Sequence, residues 1–146
     1  MLNESCVFFG IDAKTQREAV EYLVGKAKEL GRVTDAGEVV KAVLEREAEG
    51  STGFGKGIAI PHGKCSAVTE PTLLFGKLQN GVEWHALDDS PVTILFMILV
   101  PEESHTEHLQ ILAKLARKLM HDDFVDTLKQ AKSKDVLTDF VKSQLS

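Results

Sequence analysis

The chain has 146 residues, 43% hydrophobic and 27% charged, the profile of one globular domain with a real core. Its 17 basic against 22 acidic side chains give −5, which argues against a nucleic-acid surface, and aromatics for base stacking are few. Cys6 and Cys65 cannot build a disulfide framework, the start lacks a basic and then apolar leader, and the longest apolar run, 94–100, is far short of the ~20 residues that span a bilayer. These features predict a single cytoplasmic domain over 1–146 with no direct membrane insertion.

The first apolar piece, 6–9, reads as an edge or first strand. Thr15-Gln16-Arg17-Glu18 is a capping box with Thr15 at the N-cap. Val20, Leu23, Val24, Ala27 and Leu30 follow at helical spacing, and Gly31 supplies the stop. Asp35 with Glu38 opens a second helix, whose stripe is Ala36, Val39, Val40, Val43 and Leu44 and whose end is marked by Gly50. In the next stretch Gly53, Gly55 and Gly57 alternate, giving a backbone that can approach a ligand closely. The run 58–60 reads as a buried strand that Pro61 stops. His62 is thereby delivered to a strand end, where loops carry function. An imidazole, with a reference pKa of about 6.5, is a neutral nucleophile near pH 7. A turn that happens to contain a histidine fits these residues equally well.

Beyond the glycines, 72–78 reads as a strand and Asn80-Gly81 as a turn. The run 92–100, with only Thr93 polar and prolines on both sides, suits a central strand buried on both faces. Ser104-His105-Thr106-Glu107 is a third capping box, opening a helix with Leu109, Ile111, Leu112, Leu115, Ala116 and Leu119. Asp122 or Asp123 caps a short helix through Leu128, and Ser133 a last one packed through Val136, Leu137, Phe140 and Val141. The order predicts a three-layer α/β/α sandwich with a mixed β-sheet flanked by helices.

His108 shares a stripe with Leu112, Leu115 and Leu119, where a histidine is more often a satisfied core residue than a catalyst. It also stands in a first helical turn, where free N–H groups and the positive dipole end favour an anion. His105 and His108 are spaced i, i+3 with no third metal ligand, so no metal is called for. His85 and His121 read as solvated. Cys65 lacks a nucleophile-elbow sequence and reads as a small half-buried cysteine. Arg46 is either a cation at a helix C-terminus or a planar clamp for phosphate oxygens. The hydroxyls of Ser51 and Thr52 suit an anion or a turn cap, and Phe54 a partner surface or the core. A histidine nucleophile, a glycine-rich segment, a helix N-terminus and an arginine together suit transient capture of a phosphoryl group. The segment lacks the Lys-Ser/Thr ending of a P-loop, so no nucleotide and no cofactor is implied.

Arg46-Glu47 and the run from Gly50 through Ile60-Pro61-His62-Gly63-Lys64 resemble the signature of enzyme IIA of the fructose–mannitol class, from the bacterial phosphoenolpyruvate-dependent sugar phosphotransferase system. The stretch from Leu99-Val100-Pro101 through His108-Leu109-Gln110 to Ala116 resembles the family's second motif, and the likeness spans about 5–142. The resemblance implies that His62 is phosphorylated by the histidine-containing phosphocarrier protein and passes the group to a cysteine of a IIB domain. It implies that His108 hydrogen-bonds the phosphoryl group, that Arg46 belongs to the site, and that Thr52 faces phosphate. Transporter IIA domains are often fused to IIB and IIC, whereas this chain reads as IIA alone. Nitrogen-regulatory members share the 57–64 wording; Phe75-Gly76, 84–88 and 112–120 look closer to the fructose type.

Overall fold

The computed structural model describes residues 4–103 and 107–145, with the side chains of 5–103 and 110–145. A 3-10 turn, Glu4–Cys6, leads into β1 (Val7–Ile11), which lies at an edge of the sheet. Two helices packed on each other follow, α1 (Gln16–Glu29) and α2 (Ala36–Glu49). Both begin where the capping boxes require. Thr15 Oγ1 accepts from Glu18 N at 3.1 Å, and Asp35 Oδ1 accepts from Glu38 N at 3.2 Å. Glu18 reaches back one residue further than the usual box, to the N–H of Lys14 at 3.3 Å.

The glycine-rich stretch is strand rather than open loop. β2 (Gly53–Gly55) and β3 (Ile58–Ala59) form an antiparallel hairpin, and β4 (His62–Lys64) follows. Residues Gly55, Lys56 and Gly57 turn the hairpin at φ of 105°, 60° and 82°, a left-handed path that glycine takes without a Cβ penalty. The long strands β5 (Thr72–Val82) and β6 (Val92–Val100) complete a six-stranded mixed sheet ordered β1-β5-β6-β3-β2, with β4 also on β6. Asn80-Gly81, expected as a turn, lies inside β5 at a register shift between Lys77 and Val82. The β5–β6 pairing resumes at Val82↔Val92, so extended backbone with a bulge wins over the local turn preference.

β6 is the centre of the sheet, parallel to β3 and β4 on one side and antiparallel to β5 on the other. All its residues except Thr93 are buried, as the unbroken apolar run requires. The helices α3 (Glu107–Leu119), α4 (Asp122–Gln130) and α5 (Lys134–Leu145) close the chain. Alternation along β5 assigns the layers: a Cβ on Gly76 would meet Leu23 of α1, while the next side chain, Lys77, reaches the end of α4. Lys77 Nζ donates to the carbonyls of Leu128, Lys129 and Ala131 at 3.1, 2.6 and 2.9 Å, a cation closing a helix C-terminus. The result is an α/β sandwich, a mixed sheet between two helical layers.

Several finer expectations shift. The N-cap of α4 is His121, with no side-chain cap bond, one residue before Asp122. Val136, expected in the core, is 62% exposed; Leu137, Thr138 and Val141 carry the buried face of α5 instead. On α3, Leu115 and Leu119 are buried but Leu112 is only half-buried. The Ser104 capping box and His105 lie outside the described residues, as does the side chain of His108. Among the described residues no helix is long and apolar enough to cross a membrane.

Candidate phosphoryl-transfer site

His62 owes its place to an unbroken register. Ile58↔Ile94 and Ala59↔Leu95 on β3 continue as His62↔Ile98 and Lys64↔Val100 on β4, the same offset along β6. Pro61 interrupts this line without ending it. It has no N–H for the ladder, but its carbonyl accepts from Ile98 N at 3.0 Å. The preceding N–H, of Ile60, turns the other way and donates to Thr52 O at 3.0 Å. Hence His62 does not follow a strand's exit, as the sequence predicts; it opens the strand's second half.

The imidazole is half-buried, and its Nδ1 lies 2.9 Å from the Ile60 carbonyl. A carbonyl only accepts, so Nδ1 carries the proton and Nε2 is left as the ring's lone pair. Beside it, Gly63 lets α2 approach: a Cβ there would fall 2.9 Å from Val43 Cγ2. That closeness brings the C-terminal half of α2 over β4. Ala42, Glu45, Arg46 and Glu49 from α2 and His62, Gly63 and Lys64 from β4 line one groove of about 390 Å³. Arg46 and His62, 16 positions apart in sequence, thus share a cavity that also holds Lys64 and two carboxylates. The Arg46 guanidinium donates from Nη1 to Gly50 O at 2.8 Å, and a planar guanidinium carries further N–H donors suited to an anion.

Thr52 is not among the groove-lining residues. Its N–H donates to Glu47 Oε2 at 3.1 Å and its hydroxyl donates to Glu47 Oε1. Trp84, 1% exposed, donates its indole N–H to the same Oε1 at 3.2 Å. The sequence marks Glu47 only as part of the Arg46-Glu47 motif and Trp84 only within 84–88, with no role for either side chain. Nothing in local spacing could pair them, although Glu47 is one of two glutamates flanking Arg46 and Trp84 is the single tryptophan. Backbone placement sets His108 in the first turn of α3, eight residues beyond the end of β6.

The glycine hairpin does not cradle the groove. Its tip is fastened elsewhere, Lys56 N donating to Asp88 Oδ2 at 3.0 Å. Lys56 Nζ reaches Leu119 O at 3.1 Å and Asp122 Oδ1 at 2.9 Å. The Ser90 hydroxyl and this N–H hold the Asp88 carboxyl down to about 2. Phe54, on β2, is half-buried and packs against the core. Cys65 is half-buried too, its Sγ accepting from Ala67 N at 3.4 Å. Among the described residues no three His, Cys, Asp or Glu side chains gather as a metal site.

Residues 1–144 match the family model described as phosphoenolpyruvate-dependent sugar phosphotransferase system, EIIA 2. The chain belongs to this EIIA family. It is 46% identical over 125 residues to a PTS system fructose-specific EIIA component from Haloferax volcanii, covering 86% of this chain and 81% of that one. Among solved structures, the nitrogen regulatory protein IIA-Ntr from Neisseria meningitidis superposes with a TM-score of 0.86 at 29% identity, over 99% of this chain and 95% of that one. A complex of enzyme IIA of the mannitol system with phosphorylated enzyme IIB from Escherichia coli matches at a TM-score of 0.78 and 26% identity, over 99% and 96%.

Proposed function

We propose that this EIIA chain is a cytoplasmic phosphocarrier for uptake of a fructose-type sugar. The observation that carries the reading is the Nδ1–H of His62 held by the Ile60 carbonyl in a groove shared with Arg46. Nε2 attacks the phosphorus of a phosphohistidine on the histidine-containing phosphocarrier protein. The new N–P bond forms as the donor's N–P bond breaks, and the donor keeps the electron pair. A cysteine thiolate of a IIB domain then takes the group, forming S–P and returning Nε2 to its lone pair. Such transfers ask a protein mainly for in-line positioning and charge compensation. Arg46 and Lys64 supply positive charge in a groove where Glu45 and Glu49 would otherwise repel the phosphoryl oxygens. His108, in the first turn of α3, is assigned as a further donor at a helix N-terminus. For Thr52 the hydrogen bonds favour a scaffolding part, through Glu47, over direct phosphate contact.

The rim beside His62 is open and built from the outer face of α2, which suits a small and transient protein contact. The mannitol IIA–IIB complex supports a IIB partner, and the fructose-specific relative supports the sugar class. The test is incubation with phosphoenolpyruvate and the general phosphotransfer proteins. The expected product is one acid-labile phosphoryl group, absent from His62→Ala. Full labelling of that variant would refute the assignment. The IIA-Ntr likeness favours a second reading, in which phosphorylation switches binding to a target protein. Rescue of sugar uptake by this chain in cells lacking their own IIA supports transport; phosphorylation-dependent capture of a non-permease partner without rescue supports signalling.

A further inference from the structure

Glu47 stands next to Arg46 on the last turn of α2, and its carboxylate gathers donors from three parts of the chain. Gln16 Nε2 donates to it at 3.3 Å, Thr52 N at 3.1 Å and Trp84 Nε1 at 3.2 Å, with the Thr52 hydroxyl as a fourth. These partners come from α1, from the segment entering β2 and from the loop after β5. A carboxylate with so many fixed donors holds one orientation, and it holds Thr52 by both backbone and side chain.

From Thr52 the bonding runs on without a gap. Its carbonyl accepts the N–H of Ile60 at 3.0 Å, and the Ile60 carbonyl accepts His62 Nδ1–H at 2.9 Å. The peptide between Ile60 and Pro61 has no N–H, so it makes no ladder bond of its own. Its orientation is set from outside, by Ile60 N on Thr52 and by Pro61 O on Ile98. Releasing Thr52 therefore frees the carbonyl that selects the His62 tautomer. The same turn also secures Arg46, whose Nη1 bonds Gly50 O between Glu47 and Thr52.

We infer that Glu47 is a positioning residue, which through Thr52 and Ile60 fixes His62 as the Nδ1–H tautomer with Nε2 as the free lone pair. Its role in phosphoryl transfer rests on the reading of His62 as acceptor, but its effect on the imidazole is measurable without any transfer. The experiment uses the unphosphorylated full chain with 15N-labelled histidine. In the wild type the two ring nitrogens of His62 are expected at well-separated shifts, Nδ1 pyrrole-like and Nε2 pyridine-like. Glu47→Gln keeps the size but turns an NH₂ toward an N–H or hydroxyl donor. The two shifts should then converge, and acceptance of the phosphoryl group should slow by about tenfold or more.

Glu47→Gln/Trp84→Phe removes the indole donor that opposes the new amide. It should recover much of the shift separation and the rate, whereas two independent structural lesions would add. If Glu47→Gln does not fold, Thr52→Val takes its place. Loss of one donor should then give a smaller convergence of the same sign. Wild-type shifts in a folded Glu47→Gln chain, or in Thr52→Val where the first variant fails, would overturn the inference. Labelling that persists in His62→Ala would instead sink the acceptor reading and leave the tautomer result standing.

Discussion

Replacing Gly63 with alanine puts a methyl carbon 2.9 Å from Val43 Cγ2 and 3.4 Å from Val43 N. Ordinary carbon contacts lie at about 3.5–4.0 Å, so α2 and β4 must part by about 0.6 Å or Val43 must leave its rotamer. Val43 is fully buried and β-branched on a helix, which leaves it little rotamer freedom. Overpacking of this kind costs about 1–3 kcal/mol, or about 3–10 °C of Tm for a chain of this length. The displaced helix carries Arg46, so phosphoryl acceptance should fall alongside stability. Urea unfolding of Gly63→Ala, Val43→Ala and the double variant measures the clash. Val43→Ala alone should cost about 1–2.5 kcal/mol by lost burial. The double should cost less than the sum by at least about 0.5 kcal/mol, because the smaller side chain makes room. A Gly63→Ala variant within about 0.5 kcal/mol of wild type, with simple additivity in the double, would refute the close approach of α2 to His62.

Arg46→Ala should leave the fold intact and slow acceptance by about 10²–10³-fold, read by radiolabel transfer, since it removes a charged donor from the groove. Asp88, held at about 2 in the folded chain against an ordinary 3.8, stabilises above pH 3.8, and that contribution is lost as pH falls through about 2. Acid unfolding of Asp88→Asn should therefore lack a component that the wild type loses in this window. Lys77→Met should cost about 1–2 kcal/mol by leaving the carbonyls at the end of α4 without their donor. Burial, with Lys132 nearby, lowers the Lys77 pKa below 10.5. The unfolded chain then binds more protons just below that pH, so the advantage of wild type over the variant should grow as pH rises there.

Much of the fold was legible because its signals are local. Thr15 with Glu18 and Asp35 with Glu38 announce helix starts by direct side-chain capping, and both bonds form. The run 92–100 announces the central strand because burial on both faces leaves no room for polar alternation. What escaped depends on partners distant in sequence. The glycines at 53, 55 and 57 read as a ligand loop; the antiparallel pairing of 53–55 with 58–59 makes them a hairpin, which the parallel pairing of 58–59 with β6 places in the sheet. Asn80-Gly81 has turn chemistry, yet it lies within β5, in the register shift between Lys77↔Ile94 and Val82↔Val92. At the site, His62 and Arg46 stood out by residue type. The Glu47–Trp84 bond, across 37 positions, could not be read from spacing.

The central claim is that the Nε2 lone pair of His62 carries the phosphoryl group. The most direct measurement is heteronuclear 31P–15N correlation on the phosphorylated chain with labelled histidine. The account predicts coupling of phosphorus to Nε2 of His62, with Nδ1 still protonated. Coupling to Nδ1 of that ring, or to a nitrogen of any other histidine, would contradict it.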